Sequence, residues 1–99
     1  MNKHIYKVIK WLENPESVSQ EERDKNKEEA SDAAADAADA ADAASVAFYD
    51  AAYAAACAAV ATAYASKNNP EEAGIWVNEY LLETGESKQD YLDAIKEDK

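Results

Sequence analysis

Between Pro15 and Pro70 the chain contains neither glycine nor proline, and its centre reads 32-DAAADAADAADAASVAFYDAAYAAACAAVATAYA-65. Alanine has the highest helix propensity of any residue, and no backbone breaker interrupts the stretch. The pattern predicts one long Ala-rich helix over residues 17–66. From about Ser19 to Ser66 such a helix would run roughly 70 Å, well beyond the diameter of a compact chain of this size. Either the helix protrudes, or it breaks near Ala44-Ser45-Val46, or several copies bundle along it. The uninterrupted helix is the expectation.

The segments on either side carry conventional helix signals. Ile5, Val8, Ile9 and Leu12 follow i, i+3, i+4, i+7 spacing, which predicts a short amphipathic helix over 1–13 that stops at Asn14-Pro15. Ser17 with Gln20, or Ser19 with Glu22, fits a capping box that opens the long helix. Asn69-Pro70-Glu71-Glu72 starts another helix over 70–84, which Gly85 is placed to end. Ser87 with Asp90 opens a last one over 88–97. No segment alternates with period two, so the expected class is all-α, a small helical domain of residues 1–99 that forms a helical bundle.

Projected at 100° per residue, the tract shows a stripe that changes character halfway. Asp32, Asp36, Asp39 and Asp42 are followed on the same face by Val46, Tyr49, Tyr53, Cys57, Val60 and Tyr64. The aromatic half is expected to pack on Trp76, Tyr80 and the Ile5/Ile9/Leu12 face and so form the core, with Cys57 as a small buried residue. The acidic half is less easily explained. Neighbouring Asp side chains at i, i+3 and i, i+4 repel, and solubility alone would be served as well by mixed charges. The row is therefore solvated, or paired internally with Lys3, Lys7 and Lys10, or aimed at a cationic partner.

Charge distribution narrows the partner. Residues 1–29 hold 6 basic and 7 acidic groups, 30–66 hold 5 Asp and no basic group, and 67–99 hold 4 basic and 9 acidic. A net charge of −11 opposes direct contact with nucleic acid or an anionic membrane and favours a basic protein partner. About half of the 47% hydrophobic content is alanine, so the bare helix faces also favour close self-association, and a homo-oligomer is expected. The five Asp in the tract argue against a transmembrane span, and the charged start of the chain argues against a secretory signal.

Catalytic signatures are missing. Cys57 lies in an alanine run with no base beside it, and His4, between Lys3 and Ile5, has no metal-ligand spacing with it and is expected at the surface. Two glycines, Gly74 and Gly85, cannot supply a phosphate loop, and exposed Asp in a row gives no acid–base pair. The expectation is a non-enzyme without cofactors.

The ends, 7-KVIKWLENPESVSQEE-22 and 76-WVNEYLLETGESKQDYLDAIK-96, resemble those of small Ala-rich acidic proteins of tailed bacteriophages, in which similar ends flank an Ala/Tyr/Asp tract. The resemblance spans most of the chain and carries over no site residue. It implies a phage origin, action in the cytoplasm of an infected host cell, and host takeover or counter-defence by stoichiometric binding. Alanine-rich antifreeze helices are a poor parallel, since they use regularly spaced Thr and this tract has only Thr62.

Two functional expectations follow. In the first, Asp32, Asp36, Asp39, Asp42 and Asp50 present carboxylates about 5–6 Å apart, in the range of neighbouring phosphates, to a basic groove that normally takes nucleic acid. In the second, the protein oligomerises and Tyr49, Tyr53, Tyr64 and Trp76 hold a small nucleotide-like signalling ligand between helices, with Lys67 the nearest cation in sequence.

Overall fold

The computed structural model describes residues 1–42 and 46–98, with side-chain surroundings for 1–40 and 50–98. Among the described residues it is all-helical: α1 (Lys3–Glu13), a 3-10 turn (Pro15–Ser17), α2 (Gln20–Asp42), α3 (Val46–Ser66), α4 (Pro70–Thr84) and α5 (Lys88–Glu97).

The single long helix over 17–66 is replaced by two, α2 of 23 residues and α3 of 21, packed antiparallel. The molecule extends 41 Å along its longest axis, which a 70 Å rod would exceed. α2 ends at Asp42 and α3 begins at Val46; the alternative break point near Ser45 lies outside the described residues. A lone rod would leave most of its alanine faces in water. Folding back buries Ala30 of α2 and Ala54, Ala58, Ala61 and Ala65 of α3, each methyl contributing on the order of 0.8 kcal/mol.

The open end of the hairpin is tied by a polar latch. Arg23 lies over the Trp11 ring at 5.0 Å, donates through Nη1 to the Ala65 carbonyl at 2.8 Å, and also bonds Asn68 Oδ1. Gln20 Nε2 donates to the Ser66 carbonyl at 2.6 Å and to Asp24 Oδ1 at 2.8 Å, and the Ser66 hydroxyl bonds Asp24 as well. The Ala65 carbonyl also accepts the Asn68 amide at 3.1 Å, so the guanidinium adds a second donor at the end of α3 and complements the helix dipole. Asn68, at φ 60°, adopts the left-handed conformation just past the helix end.

The remaining helices follow their caps. Asn2 caps α1, its Oδ1 accepting from the His4 and Ile5 amides, and Asn14 ends the helix with an extended φ of −147°. Ser19, rather than Ser17, caps α2, its hydroxyl accepting the Glu22 amide at 3.1 Å and donating back to the Glu22 carboxylate. Asn69 accepts the Glu72 amide, Pro70 occupies the first turn of α4, and Gly85 closes it at φ 74°.

The core is built from Ile5, Val8, Ile9 and Trp11 of α1, the alanine face of α3, Ala73, Val77 and Tyr80 of α4, and Tyr91 and Ile95 of α5. This corrects the expected aromatic core. The buried row of α3 is Ala54, Cys57, Ala58, Ala61, Thr62 and Ala65, so Tyr53 and Val60 fall on its flank, and Tyr64 is only half-buried. Small residues take the centre because α2, α1 and α4 all crowd against α3, and a helix with three neighbours needs close backbone approach.

Candidate functional site

On α2 the buried or half-buried positions are Arg23, Asn26, Ala30, Ala34 and Ala37, spaced three or four apart. Stepping at 100° per residue places Asp32, Asp36 and Asp39 roughly opposite that row, and all three are exposed. They advance along the axis by about 6 and then 4.5 Å. The Asp42 side chain lies outside the described surroundings. Asp50 is exposed on the first turns of α3, and the antiparallel reversal returns it to the end of the hairpin at which α2 finishes.

The continuous stripe from Asp to Tyr does not survive the fold, because its two halves belong to helices running in opposite directions. Asp32, Asp36 and Asp39 form no ion pair with Lys3, Lys7 or Lys10 among the described residues either. Among the described residues the ion pair is Lys25–Glu29 at 4.0 Å, on the first half of α2, and α1 meets α2 through His4 with Asn26 and Trp11 with Arg23 instead. Past Lys27 no cation follows until Lys67, so neither the second half of α2 nor α3 carries a positive charge.

The expected aromatic site residues are spread out. Tyr53 is 45% exposed and its hydroxyl donates to Glu79 Oε1 at 3.1 Å; that bond to a carboxylate is the main reason its pKa is pushed up to about 12. Tyr64, eleven residues and roughly 16 Å further along α3, has the Lys67 ammonium over its ring at 6.0 Å. Trp76 is half-buried against the core, and the side chain of Tyr49 lies outside the described surroundings. Two clefts among the described residues are lined by other residues. The larger, about 540 Å³, opens between α1 and α5.

Two buried polar constructions were not read from the sequence. His4 is 7% exposed, not at the surface. Asn26 Nδ2 donates to the His4 carbonyl at 3.1 Å, which turns Asn26 Oδ1 toward the ring at 2.9 Å. Since that oxygen can only accept, His4 Nδ1 carries a proton. The signal was available, because His4 lies four residues before Val8 and beside Ile5, on the apolar face of α1.

The second construction is centred on Glu86, which accepts from Tyr80 Oη at 2.9 Å and from Tyr91 Oη, while Tyr91 Oη accepts the Asn2 amide at 2.9 Å. Burial, followed by the bond to Glu86, pushes Tyr80 up to about 12, and the same causes raise Tyr91 further. It ties the chain start to the α4–α5 corner, but an anchored carboxylate between two phenols has no nucleophile or free base to work with.

Cys57 is buried, and burial raises its thiol pKa, the opposite of what activates a nucleophile. Among the described residues no group of three His, Cys, Asp or Glu side chains is arranged to hold a metal ion. No described helix is long and apolar enough to cross a membrane. The chain matches no protein-family description, no curated protein and no solved structure.

Proposed function

We propose that the protein is a non-catalytic binder that engages a basic protein through the outer face of α2. The observation that carries this reading is the row Asp32, Asp36 and Asp39, turned away from the buried side of the helix with no cation beside it on the second half of α2. Carboxylates in a row repel one another by roughly 0.7 kcal/mol per pair at 6 Å in water. Lysine or arginine side chains from a partner would remove that repulsion and add attraction. Asp50, at the same end of the hairpin, widens the surface, and Asp42 extends the row in sequence. The resemblance of the chain ends to phage proteins favours a phage-type inhibitor of a host or defence factor, and a nucleic-acid-binding groove is the kind of basic surface such a row would occupy.

The test is a captured, identified host partner whose affinity is measured at about 50 and 500 mM salt, against wild type and the D32N/D36N/D39N/D42N variant. The expected result is a steep loss of affinity with salt and with the substitutions, since exposed charges are screened beyond about 10 Å at 0.1 M. Affinity that is indifferent to both would contradict the proposal. The nucleotide-binding alternative gains no support from the separate positions of Tyr53, Tyr64 and Trp76.

A further inference from the structure

We infer that the outer face of α4, with Tyr53 of α3 beside it, is a docking surface for a basic amphipathic helix of a partner protein. Three of the four large apolar side chains exposed among the described residues meet here: Ile75 at 57%, Leu82 at 80% and Tyr53 at 45%. Single exposed apolar residues are ordinary on a protein surface, whereas a grouped set is the usual mark of an interaction site. The inference does not rest on the acidic face of α2, a different helix that contributes none of these residues.

The grouping follows from the helical repeat. At 100° per residue Ile75 and Leu82 fall within about 20° of each other, two turns and about 10 Å apart, on the side of α4 opposite its buried Ala73, Val77 and Tyr80. Asn78 and Glu79 lie between them along the helix surface. Tyr53 reaches Glu79 from α3, its hydroxyl donating to Oε1 at 3.1 Å, and that bond sets the phenol ring alongside the ridge. Apolar anchors at i and i+7 are the spacing that a second helix meets with an apolar stripe of its own.

The occupant follows from the charges around the ridge. α4 holds Glu71, Glu72, Glu79 and Glu83 and no lysine or arginine, and none of these carboxylates is in an ion pair among the described residues. A second copy docking α4 on α4 would set carboxylates against one another, and an anionic lipid surface would be repelled. Neither cleft described above is lined by Tyr53, Ile75 or Leu82, so the surface is open and suits a macromolecule rather than a small ligand. What fits is a helix with an apolar stripe for Ile75, Leu82 and Tyr53 and with lysine or arginine on its flanks for the glutamates. The charges then set approach and orientation, and the apolar anchors set the lifetime.

Amide-resolved NMR titration of the full chain tests the surface, the probe being a Leu/Lys peptide of about 18 residues whose leucines follow helical spacing. The controls are a shuffled peptide of the same composition without an apolar stripe, and a Leu/Glu peptide with the original spacing. The expected result is saturable shifts at Tyr53, Ile75, Asn78, Glu79 and Leu82 with the first peptide, and binding of the controls there weaker by about tenfold or more. Ile75→Ala and Leu82→Ala should each weaken the first peptide about tenfold, the scale of one truncated anchor, and leave the rest of the spectrum folded because both side chains lie in solvent. D32N/D36N/D39N should change its affinity for α4 by no more than about threefold at about 0.15 M salt, where distant exposed charges are screened. Shifts confined to α2, or a larger loss in that triple variant, would overturn the inference while leaving the reading of the acidic row intact. It is equally overturned if both alanine variants bind as wild type does, if the shuffled peptide binds as well, or if nothing on α4 shifts at about 1 mM peptide.

Discussion

The two halves of α2 make opposite contributions. From Gln20 to Ala30 the helix buries Asn26 and Ala30, stacks Arg23 on Trp11, and bonds across to Ala65, Ser66, Asn68 and His4. From Ser31 to Ala40 no residue is fully buried, and the side chains are alanine, aspartate and one serine. The first half holds the fold together. The second is held up by helix propensity and a thin alanine contact with α3, so its outer face is free to be chosen for something other than stability. Acidic residues that weaken their own helix by repulsion are tolerable where little else depends on them.

The comparison is most easily broken at the core that anchors the first half. Ile9→Ala should remove about 2–5 kcal/mol in urea unfolding, since the site is fully buried and α3 and α4 cannot both close on the cavity. A loss below 1 kcal/mol would mean that the packing of α1 is not what supports the hairpin. Arg23→Ala should follow, at about 1–3 kcal/mol, by removing the side-chain bonds to the Ala65 carbonyl, which keeps only the Asn68 amide, and to Asn68 Oδ1, and by leaving Trp11 without its cation. Lysine in its place should recover only part of this, because it cannot stack flat and donate as a fork.

The Glu86 construction predicts a pH dependence with a definite sign. Tyr80 is raised to about 12 in the folded chain and ionises near 10 when unfolded, so the unfolded state sheds its proton first. Its contribution is fully present below about pH 10 and is lost between about 10 and 12. Urea unfolding across that window should show stability falling with pH, less steeply in Tyr80→Phe. The smallest effect is expected where the second half of α2 is changed: D32N/D36N/D39N should move stability by no more than about 0.5 kcal/mol in the same assay, with any gain coming from relieved repulsion. A loss of 2 kcal/mol or more would mean the row has an internal role.

The same contrast explains what could be seen in the sequence. The caps were legible because they are local: Asn14-Pro15, Ser19 with Glu22, Asn69-Pro70, Gly85 and Ser87 each satisfy backbone groups within four residues. The α2–α3 hairpin was legible only as an alternative to the unbroken helix, since no glycine or proline separates the two helices and burial of alanine methyls leaves little periodic trace where most faces are alanine. For the same reason the aromatic residues drew the eye as core, while Ala54, Ala58, Ala61 and Ala65 fill it. Asp32, Asp36 and Asp39 could be assigned to one face because that needs only the helical repeat. Their isolation from Lys3, Lys7 and Lys10 required the tertiary placement of α1. The α1–α5 cleft joins segments some eighty residues apart, and no local pattern could have announced it.

Everything proposed for the acidic face presupposes that the alanine tract folds back and sets Asp50 at the same end as the α2 row. The most direct measurement is a spin-label distance between E21C and K67C in a Cys57→Ala background, at exposed positions flanking the latch. The hairpin predicts a separation close to the ~8–10 Å of packed helices plus the label arms. A distance near 70 Å, the length of an unbroken helix between those positions, would contradict it.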